Sequence, residues 1–287
     1  MTSVLFWNLA KNDLGALVAA IAKDSRIDII LLAEAGLDVE RIRMALAREM
    51  PEVPFEIPTF SLCRKIVAFV RHSRAFWRPV AEGARFIVAE LVFPARRGIL
   101  IAVAHLPSHL HNDVNSISAE CVQFASRIRD SERRVGHQRT VAVGDFNLNP
   151  FDYGAVVANG LHGVMTKAIA SEGSRVINGV EFPFFYNPMW SRLGDQSPGP
   201  PGSYFYRSAR HVNLFWNTFD QVLVRPDLID EFQDKSLRVL TAVRGINLIK
   251  RGRPDKATYS DHLPLVFQLE LQISIGDQYA KRQPLAG

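Results

Sequence analysis

Two short motifs place acidic, amide and imidazole side chains directly beside strand-like segments. Asp145 and Asn147 follow one apolar run, and Asp261 and His262 precede another. The β-branched residues of these runs favour a pleated backbone, and the glycine before Asp145 allows a tight exit from its strand. Each motif alone also fits ordinary turn chemistry. Their joint occurrence favours a site where carboxylate, amide and imidazole groups act on one substrate.

Further strand-like segments also end on polar residues, namely Asn8, Glu34, His105 and Asp220. If these segments lie side by side in packed sheets, their ends form a carboxylate-rich pocket at one edge. Mg²⁺ prefers oxygen ligands and keeps several waters, so we expect Asn8, Glu34 and Asp261 to hold Mg²⁺, with Mn²⁺ as a substitute. The local alternatives are a helix-start carboxylate for Glu34 and turn residues for the other two.

The remaining polar residues suggest hydrolysis of a phosphoester. His262 is expected to contact the phosphate or to protonate the leaving oxygen, with Asp220 stabilising its charged form. Asp145 would orient or deprotonate the attacking water, and Asn147 would hold a phosphate oxygen. His105 would stabilise phosphate charge from the opposite side, unless it is a hydrogen-bonded structural imidazole. Positioning and charge stabilisation are the chief demands of this reaction.

The elements that must position these residues alternate between strand and helix patterns. Many strands with interspersed helices predict stacked sheets covered by helices. The main strands are predicted at 3–7, 28–33, 66–71, 84–93, 98–105, 140–144, 219–224 and 264–271, and the helices at 14–23, 39–48 and 117–129.

An aromatic-rich segment at about 182–216 lacks periodicity and is punctuated by prolines, which predicts an elaborated loop insertion. It lies between two of the chemical motifs and is therefore expected to border the cleft. Its rings are suited to stacking on bases and its arginines to contacting phosphates. A small satellite core beneath a long loop is the alternative. The residues expected to bind substrate are Trp190, Tyr204, Tyr206, Arg207 and Arg210.

The composition fits a single folded domain. The chain has 287 residues and 47% hydrophobic content, enough for a sizeable core, and we expect a catalytic domain at 1–274 with a tail at 275–287. The two cysteines suggest reduced thiols, and no secretory leader or membrane span is evident, which together predict a cytoplasmic protein. The net charge of +5 modestly favours polyanion partners, and no protein partner is predicted.

The ordered combination of motifs resembles the endonuclease/exonuclease/phosphatase (DNase I-like) superfamily. The resemblance covers most of the chain and implies a four-layer α/β/β/α sandwich with two packed, mostly antiparallel sheets. It also implies metal-dependent phosphoester cleavage, with water attacking opposite the leaving oxygen. The matching segments are Trp7-Asn8, Glu34, Ala104-His105-Leu106, Gly144-Asp145-Phe146-Asn147, Phe219-Asp220-Gln221-Val222 and Ser260-Asp261-His262.

The chain departs from the family's patterns at two places. Asp220-Gln221 stands where inositol-polyphosphate 5-phosphatases have Asp-Arg, which argues against that substrate. Near 64–71, where DNase I-like members place an acid before a strand, the chain has Arg64 and Lys65. A second histidine–acid pair around His105 is therefore not expected.

Three functions remain open from the sequence. The first is a Mg²⁺-dependent nuclease or nucleotide phosphodiesterase acting on DNA or RNA. The second is a phosphomonoesterase or phospholipid phosphodiesterase with the same metal core, and the third is a non-catalytic module that binds nucleic acid. Turnover with Mg²⁺ or Mn²⁺ separates the third from the others, and the release of orthophosphate from monoesters identifies a phosphatase.

Overall fold

A computed structural model describes residues 1–36, 39–52, 54–108, 113–209 and 211–271. Arg210 and the predicted tail at 275–287 therefore lie outside the described residues. Among the helices of the described part, none is long and apolar enough to cross a membrane.

The secondary structure consists of helices of varied length and many strands. The helices are α1 (Gly15–Asp24), α2 (Val39–Glu49), α3 (Val114–Val135), α4 (Tyr153–Val156) and α5 (Lys167–Ala170), with 3-10 turns at Arg74–Phe76, Pro188–Arg192, Pro226–Glu231 and Asp234–Ser236. The strands are β1 (Thr2–Asn8), β2 (Ile29–Ala33), β3 (Ile66–Val70), β4 (Trp77–Gly83), β5 (Phe86–Leu91), β6 (Ile99–His105), β7 (Thr140–Asp145), β8 (Gly163–Val164), β9 (Ser174–Ile177), β10 (Val180–Pro183), β11 (Phe185–Tyr186), β12 (Tyr204–Phe205), β13 (Trp216–Asn217), β14 (Asp220–Val224), β15 (Arg238–Val239), β16 (Ala242–Val243), β17 (Ile246–Asn247), β18 (Ile249–Lys250), β19 (Arg253–Pro254) and β20 (Leu265–Leu269).

Two large sheets form the centre of the molecule. The first has the order β15-β20-β1-β2-β3, and the second has the order β4-β5-β6-β7-β14-β11-β8. The pairs β1–β2, β6–β7 and β8–β11 are parallel, and the other neighbours within these two sheets are antiparallel. The predicted pair of mostly antiparallel sheets is confirmed.

The alternation of side chains along the strands divides the core into three clusters. Residues such as Val4 and Phe6 in the first sheet and Val141 in the second face the space between the sheets. The opposite face of the first sheet packs against α1 and α2, and the opposite face of the second packs against α3. Because period-2 alternation buries both faces of each sheet, the result is the expected four-layer α/β/β/α sandwich.

The structure also differs from the sequence expectations. Trp77–Gly83 is an edge strand that the apolar pattern does not reveal, because Arg78 and Pro79 face solvent and the pairing shifts between Pro79 and Ala81. The aromatic segment at 182–216 is not loop throughout, since Phe185–Tyr186 joins the second sheet.

The topology brings the polar strand ends to one edge. Asn8 ends β1 in register with Ala33, the last residue of the parallel strand β2. In the second sheet His105 is in register with Asp145, and Asp145 faces Asp220 at the start of the antiparallel strand β14. Parallel strands that end together, with an antiparallel neighbour that starts there, place these side chains side by side.

The backbone at this edge is tightly constrained. A Cβ atom at Gly144 would lie 2.0 Å from the carbonyl oxygen of Ala104 on the neighbouring strand, so only glycine permits this approach. Glu34 and Asn147 adopt φ values of 47° and 50°, a region that non-glycine residues rarely occupy. Such strain commonly concentrates at functional sites.

Candidate active site

Asp145 lies at the centre of the cluster and is 1% exposed. Its Oδ2 atom accepts a hydrogen bond from Asn8 Nδ2 at 2.9 Å, and it lies 3.7 Å from the Nε2 atoms of both His105 and His262. Its Oδ1 atom accepts the backbone N–H of Asn147 at 3.0 Å. One carboxylate oxygen is therefore shared by an amide donor and two imidazoles.

His262 and Asp220 form a buried pair beside Asp145. His262 Nδ1 lies 2.8 Å from Asp220 Oδ2, and Asp261 Oδ1 lies 4.0 Å from His262 Nε2. Burial alone would lower the pKa of His262, but the charges of Asp220 and Asp145 outweigh it and raise this pKa to about 10. Burial raises the pKa of Asp220, against the opposing effect of His262. We place the shared proton on the ring, which makes Nε2 a donor at neutral pH.

Two buried serines hold the backbone of this pair. Ser260 Oγ donates to the carbonyl oxygen of Asn8 at 2.7 Å and accepts the N–H of His262 at 3.0 Å. Ser203 Oγ accepts the N–H of Asp220 at 3.0 Å. These bonds connect segments that carry the predicted catalytic residues. Sequence reasoning missed the role of Ser203, because no local signal marks a serine whose partner lies on a distant strand.

Aromatic residues enclose the His262 ring. Trp7 Nε1 donates to the carbonyl oxygen of His262 at 2.9 Å, and the Tyr204 ring centroid lies 4.6 Å from that of His262. Tyr204 in turn stacks on Phe219 at 5.2 Å. Burial, followed by the nearby Asp261 carboxylate, raises the pKa of Tyr204. The phenol therefore remains neutral beside the carboxylates.

Glu34 approaches the cluster through His105. Its Oε1 atom lies 3.5 Å from His105 Nε2, and its side chain is 26% exposed. His105 Nδ1 is buried and has no hydrogen-bond partner within the described part of the chain. Within the described residues, His105 Nδ1 therefore has no carboxylate partner of the kind that Asp220 provides for His262, whereas its Nε2 lies near both Glu34 and Asp145.

The cluster carries an excess of negative charge. In the described residues, Glu34, Asp145, Asp220 and Asp261 form salt bridges with histidine but with neither lysine nor arginine. Buried or half-buried carboxylates that outnumber the nearby cations are costly, and oxygen donors of this kind suit a hard divalent cation. The donor set therefore fits the Mg²⁺ that the sequence resemblance implies.

Two features bear on which residues would hold an ion. Asn8 Oδ1 already accepts the Ala10 N–H at 3.0 Å, so in this structure Asn8 orients Asp145. Asp145, Asp220 and His262 also offer ligand atoms that lie within 4.8 Å of one another. Because His262 Nδ1 is already bonded to Asp220, we regard these two residues as a proton-holding pair, and the predicted ligands Asn8, Glu34 and Asp261 stay a prediction.

The expected substrate-binding residues lie at varied positions. Tyr206 is 40% exposed, and Arg207 is also exposed. Trp190 is half-buried and packs against Phe151, with ring centroids 6.2 Å apart. Phe151 was missed from the sequence, although it is 42% exposed and follows the Asn147 loop closely along the chain. Substrate contact by these residues stays a prediction.

No protein-family model and no curated protein sequence matches this chain. Several solved structures resemble it in fold. An endonuclease/exonuclease/phosphatase family protein from Leptotrichia buccalis has a TM-score of 0.53 at 12% identity, covering 94% of this chain and 100% of its own. An AP endonuclease from Archaeoglobus fulgidus has a TM-score of 0.54 at 14% identity, with coverages of 94% and 100%. D. rerio TDP2 complexed with a single-strand DNA product has a TM-score of 0.53 at 14% identity, with coverages of 93% and 97%. The chain therefore shares the fold of these solved structures, one of which is described as an endonuclease/exonuclease/phosphatase family protein, the superfamily whose motifs this sequence resembles.

Proposed function

We propose that this protein is a metal-dependent phosphodiesterase, and that its substrate is DNA or RNA. The observation that carries the proposal is the buried line of Asp220, His262 and Asp145, in which a protonated imidazole stands beside a carboxylate. A proton donor and a proton acceptor side by side are what hydrolysis of a phosphoester by water requires.

In the proposed reaction, Asp145 accepts a proton from the attacking water as the new P–O bond forms. The ester P–O bond breaks on the opposite side, and the His262 Nε2–H either protonates the leaving oxygen or stabilises the phosphate charge. Asn8 fixes the orientation of Asp145 through its 2.9 Å hydrogen bond. Asn147 and His105 are proposed to hold phosphate oxygens, which adds to the preorganised charge stabilisation.

Glu34, Asp261 and Asn8 would hold Mg²⁺, or Mn²⁺ in its place. When bound, such an ion neutralises phosphate charge and favours deprotonation of water. The chemistry of the donor set supports this assignment, since carboxylate and amide oxygens predominate around Asp145.

A nucleic-acid substrate is supported by several independent features. The aromatic segment reaches the catalytic histidine through Tyr204, and exposed aromatic rings continue from there at Tyr206 and Phe215. Rings beside a phosphate-cleaving site suit unstacked bases. The net charge of +5 favours a polyanion, and TDP2, which has the same fold, is described in complex with single-strand DNA. The two free, buried thiols support a reducing cytoplasm as the proposed compartment.

The test is product analysis from end-labelled single- and double-stranded DNA and RNA with Mg²⁺, beside a small phosphomonoester. We expect cleavage of at least one nucleic acid by the wild type, loss of cleavage in Asp145→Asn, and normal cleavage in Asp230→Asn, which alters an exposed aspartate. Orthophosphate release from the monoester without nucleic-acid cleavage would show that the protein is a phosphatase and not a nuclease. Binding of nucleic acid without turnover would show that it is a non-catalytic module.

A further inference from the structure

A cavity of about 290 Å³ opens at the edge of the sandwich opposite the active site. It lies where the first sheet and the loop after β5 meet, and it combines cationic, polar and aromatic groups. The lining residues that matter for its chemistry are Thr2, Asp28, Arg71, His72, Phe93 and Arg96.

The strand directions separate this cavity from the active site. β1 begins at Thr2 beside the cavity and ends at Asn8 in the active site, and β2 likewise runs between Asp28 and Glu34. A strand of this length spans roughly 20 Å. The antiparallel strand β3 returns from the active-site edge and delivers Arg71 to the cavity. The cavity is therefore a distinct site.

Two buried polar atoms beside this cavity lack partners in the described part of the molecule. They are Arg71 Nε, a donor, and His72 Nε2. His72 Nδ1 lies 3.2 Å from the carbonyl oxygen of Ser73 and must donate a proton to bond with it. Burial lowers the pKa of His72, which keeps the ring neutral. The unpaired Nε2 is then an acceptor, so the residues that line the cavity include one unmet donor and one unmet acceptor, both almost inaccessible to solvent.

The charges around the cavity favour an anion. Arg71 and Arg96 form no salt bridge within the described residues, and Arg96 Nη1 donates to the carbonyl oxygen of Leu271. Asp28 contributes one opposing charge, and its Oδ2 atom accepts the N–H of Ser3 at 2.9 Å. Two guanidinium groups against one carboxylate leave a net positive charge.

We propose that this cavity binds a singly protonated phosphate group, supplied either as free phosphate or as a compact phosphomonoester. Its oxygens accept from the guanidinium groups of Arg71 and Arg96, and its single O–H donates to His72 Nε2. Arginine is well suited to phosphate because its planar donors match the oxygens. The cavity volume of about 290 Å³ is close to the lower end of the roughly 300–1,000 Å³ typical of small-molecule sites, so it fits a compact group such as phosphate.

The test reads the site directly by NMR on the full-length, ¹⁵N-labelled protein in a metal-free buffer. Potassium phosphate, adenosine 5′-monophosphate, adenosine and potassium chloride are titrated separately. We expect saturable shifts of the Arg71 Nε–H and His72 ring signals with phosphate, and none with adenosine. Tighter binding of the monophosphate assigns a phosphomonoester, and equal or weaker binding assigns free phosphate.

Variants test whether the NMR shifts arise from phosphate binding to Arg71 and Arg96. Arg71→Met, read at His72, should weaken phosphate binding by about 10-fold or more, because a charge-assisted hydrogen bond is lost. Arg96→Gln should also weaken it and serves if Arg71→Met does not fold. Arg78→Met, which alters an exposed arginine of β4, should bind as the wild type does. Signals that stay unmoved up to about 50 mM phosphate, or that chloride moves equally, would overturn the proposal.

This site does not depend on the proposed function. Arg71→Met should cleave the substrate at the wild-type rate, so the two proposals can fail separately. A protein without nuclease activity could still bind phosphate here, and an active nuclease could lack this second site.

Discussion

Strands β7 and β14 carry buried charge at both of their ends, and the two ends are built differently. At one end, Arg139 bonds to Glu231 and Arg225 bonds to Glu132, each with a shortest N–O distance of 2.8 Å. We call this the paired end. The other end carries the proposed catalytic residues Asp145, Asp220 and His262, in which carboxylates outnumber cations, and we call it the catalytic end.

The two ends use buried charge for different purposes. We expect the ion pairs of the paired end to stabilise the fold and the charges of the catalytic end to take part in the reaction. At the paired end, each guanidinium uses several donors, and Arg225 also bonds to the carbonyl oxygens of Pro183 and Phe184 while lying 3.8 Å from the Phe185 ring. Such pairs lock adjacent segments in place. The catalytic end keeps like charges close together, which costs stability and is typical of groups retained for reactivity.

The largest expected effect is on stability at the paired end. Arg225→Met leaves Glu132 buried without its partner, so the free energy of unfolding should fall by about 3–5 kcal/mol. Urea denaturation measures this. The double variant Arg225→Met with Glu132→Leu removes both charges and should recover much of the loss. A fall below about 1 kcal/mol in the single variant would mean that the pair is not structural.

The next effect is on turnover at the catalytic end. Asp145→Asn and His262→Ala should each lower kcat by about 100-fold or more, because each removes an acid–base group. The folded state should persist, since Asp145→Asn relieves repulsion between carboxylates. Steady-state kinetics with the cleaved nucleic acid, together with thermal unfolding, measures both quantities. Near-normal rates in both variants would mean that the charged groups at the catalytic end are not needed for turnover.

Metal activation should depend on Glu34. Glu34→Gln removes one charge from the proposed ligand set, so the Mg²⁺ concentration for half-maximal activity should rise by about 10-fold or more, with a smaller change in substrate KM. Glu120→Gln alters an exposed glutamate on α3 and serves as the control. An unchanged Mg²⁺ activation curve in Glu34→Gln would remove this residue from the set.

The smallest effect concerns the proton on His262. Since the folded-state pKa is raised from 6.5 to about 10, the resulting stabilisation is fully present below pH 6.5 and is lost as the pH rises towards 10. In metal-free protein, ring NMR signals should show His262 protonated at pH 8. Asp220→Asn should lower the pKa by removing the neighbouring charge. A neutral ring at pH 8 in the wild type would contradict the proposed proton donor.

Local sequence patterns could predict the strands that end at the catalytic edge, because each is apolar and finishes on a polar residue. They could not predict the paired end. Arg139 and Glu231 are far apart in the chain, and nothing beside either residue signals the other. Helix α3 illustrates a signal that was overlooked. It extends beyond the predicted 117–129 because the side chain of Asp113 caps its start and Gly136 ends it in a left-handed conformation.

The site could be predicted as a set of motifs but not as a geometry. Asp145, His105 and Asp220 meet because β6 and β7 are parallel and β14 runs against them, a pairing that emerges only from the whole fold. Ser203 illustrates the limit, since its hydrogen bond to Asp220 depends on how the aromatic segment crosses the sheet.

Gly144 packs directly against the backbone of Ala104 on the neighbouring strand. Because main-chain atoms meet there, the spacing between the His105 and Asp145 Cα positions is fixed by the backbone and is independent of the side chains that carry out the chemistry. The side chains at these two positions can therefore be substituted without moving the strands that carry them. A single added methyl group at position 144 would instead wedge the two strands apart and displace every group around Asp145 at once.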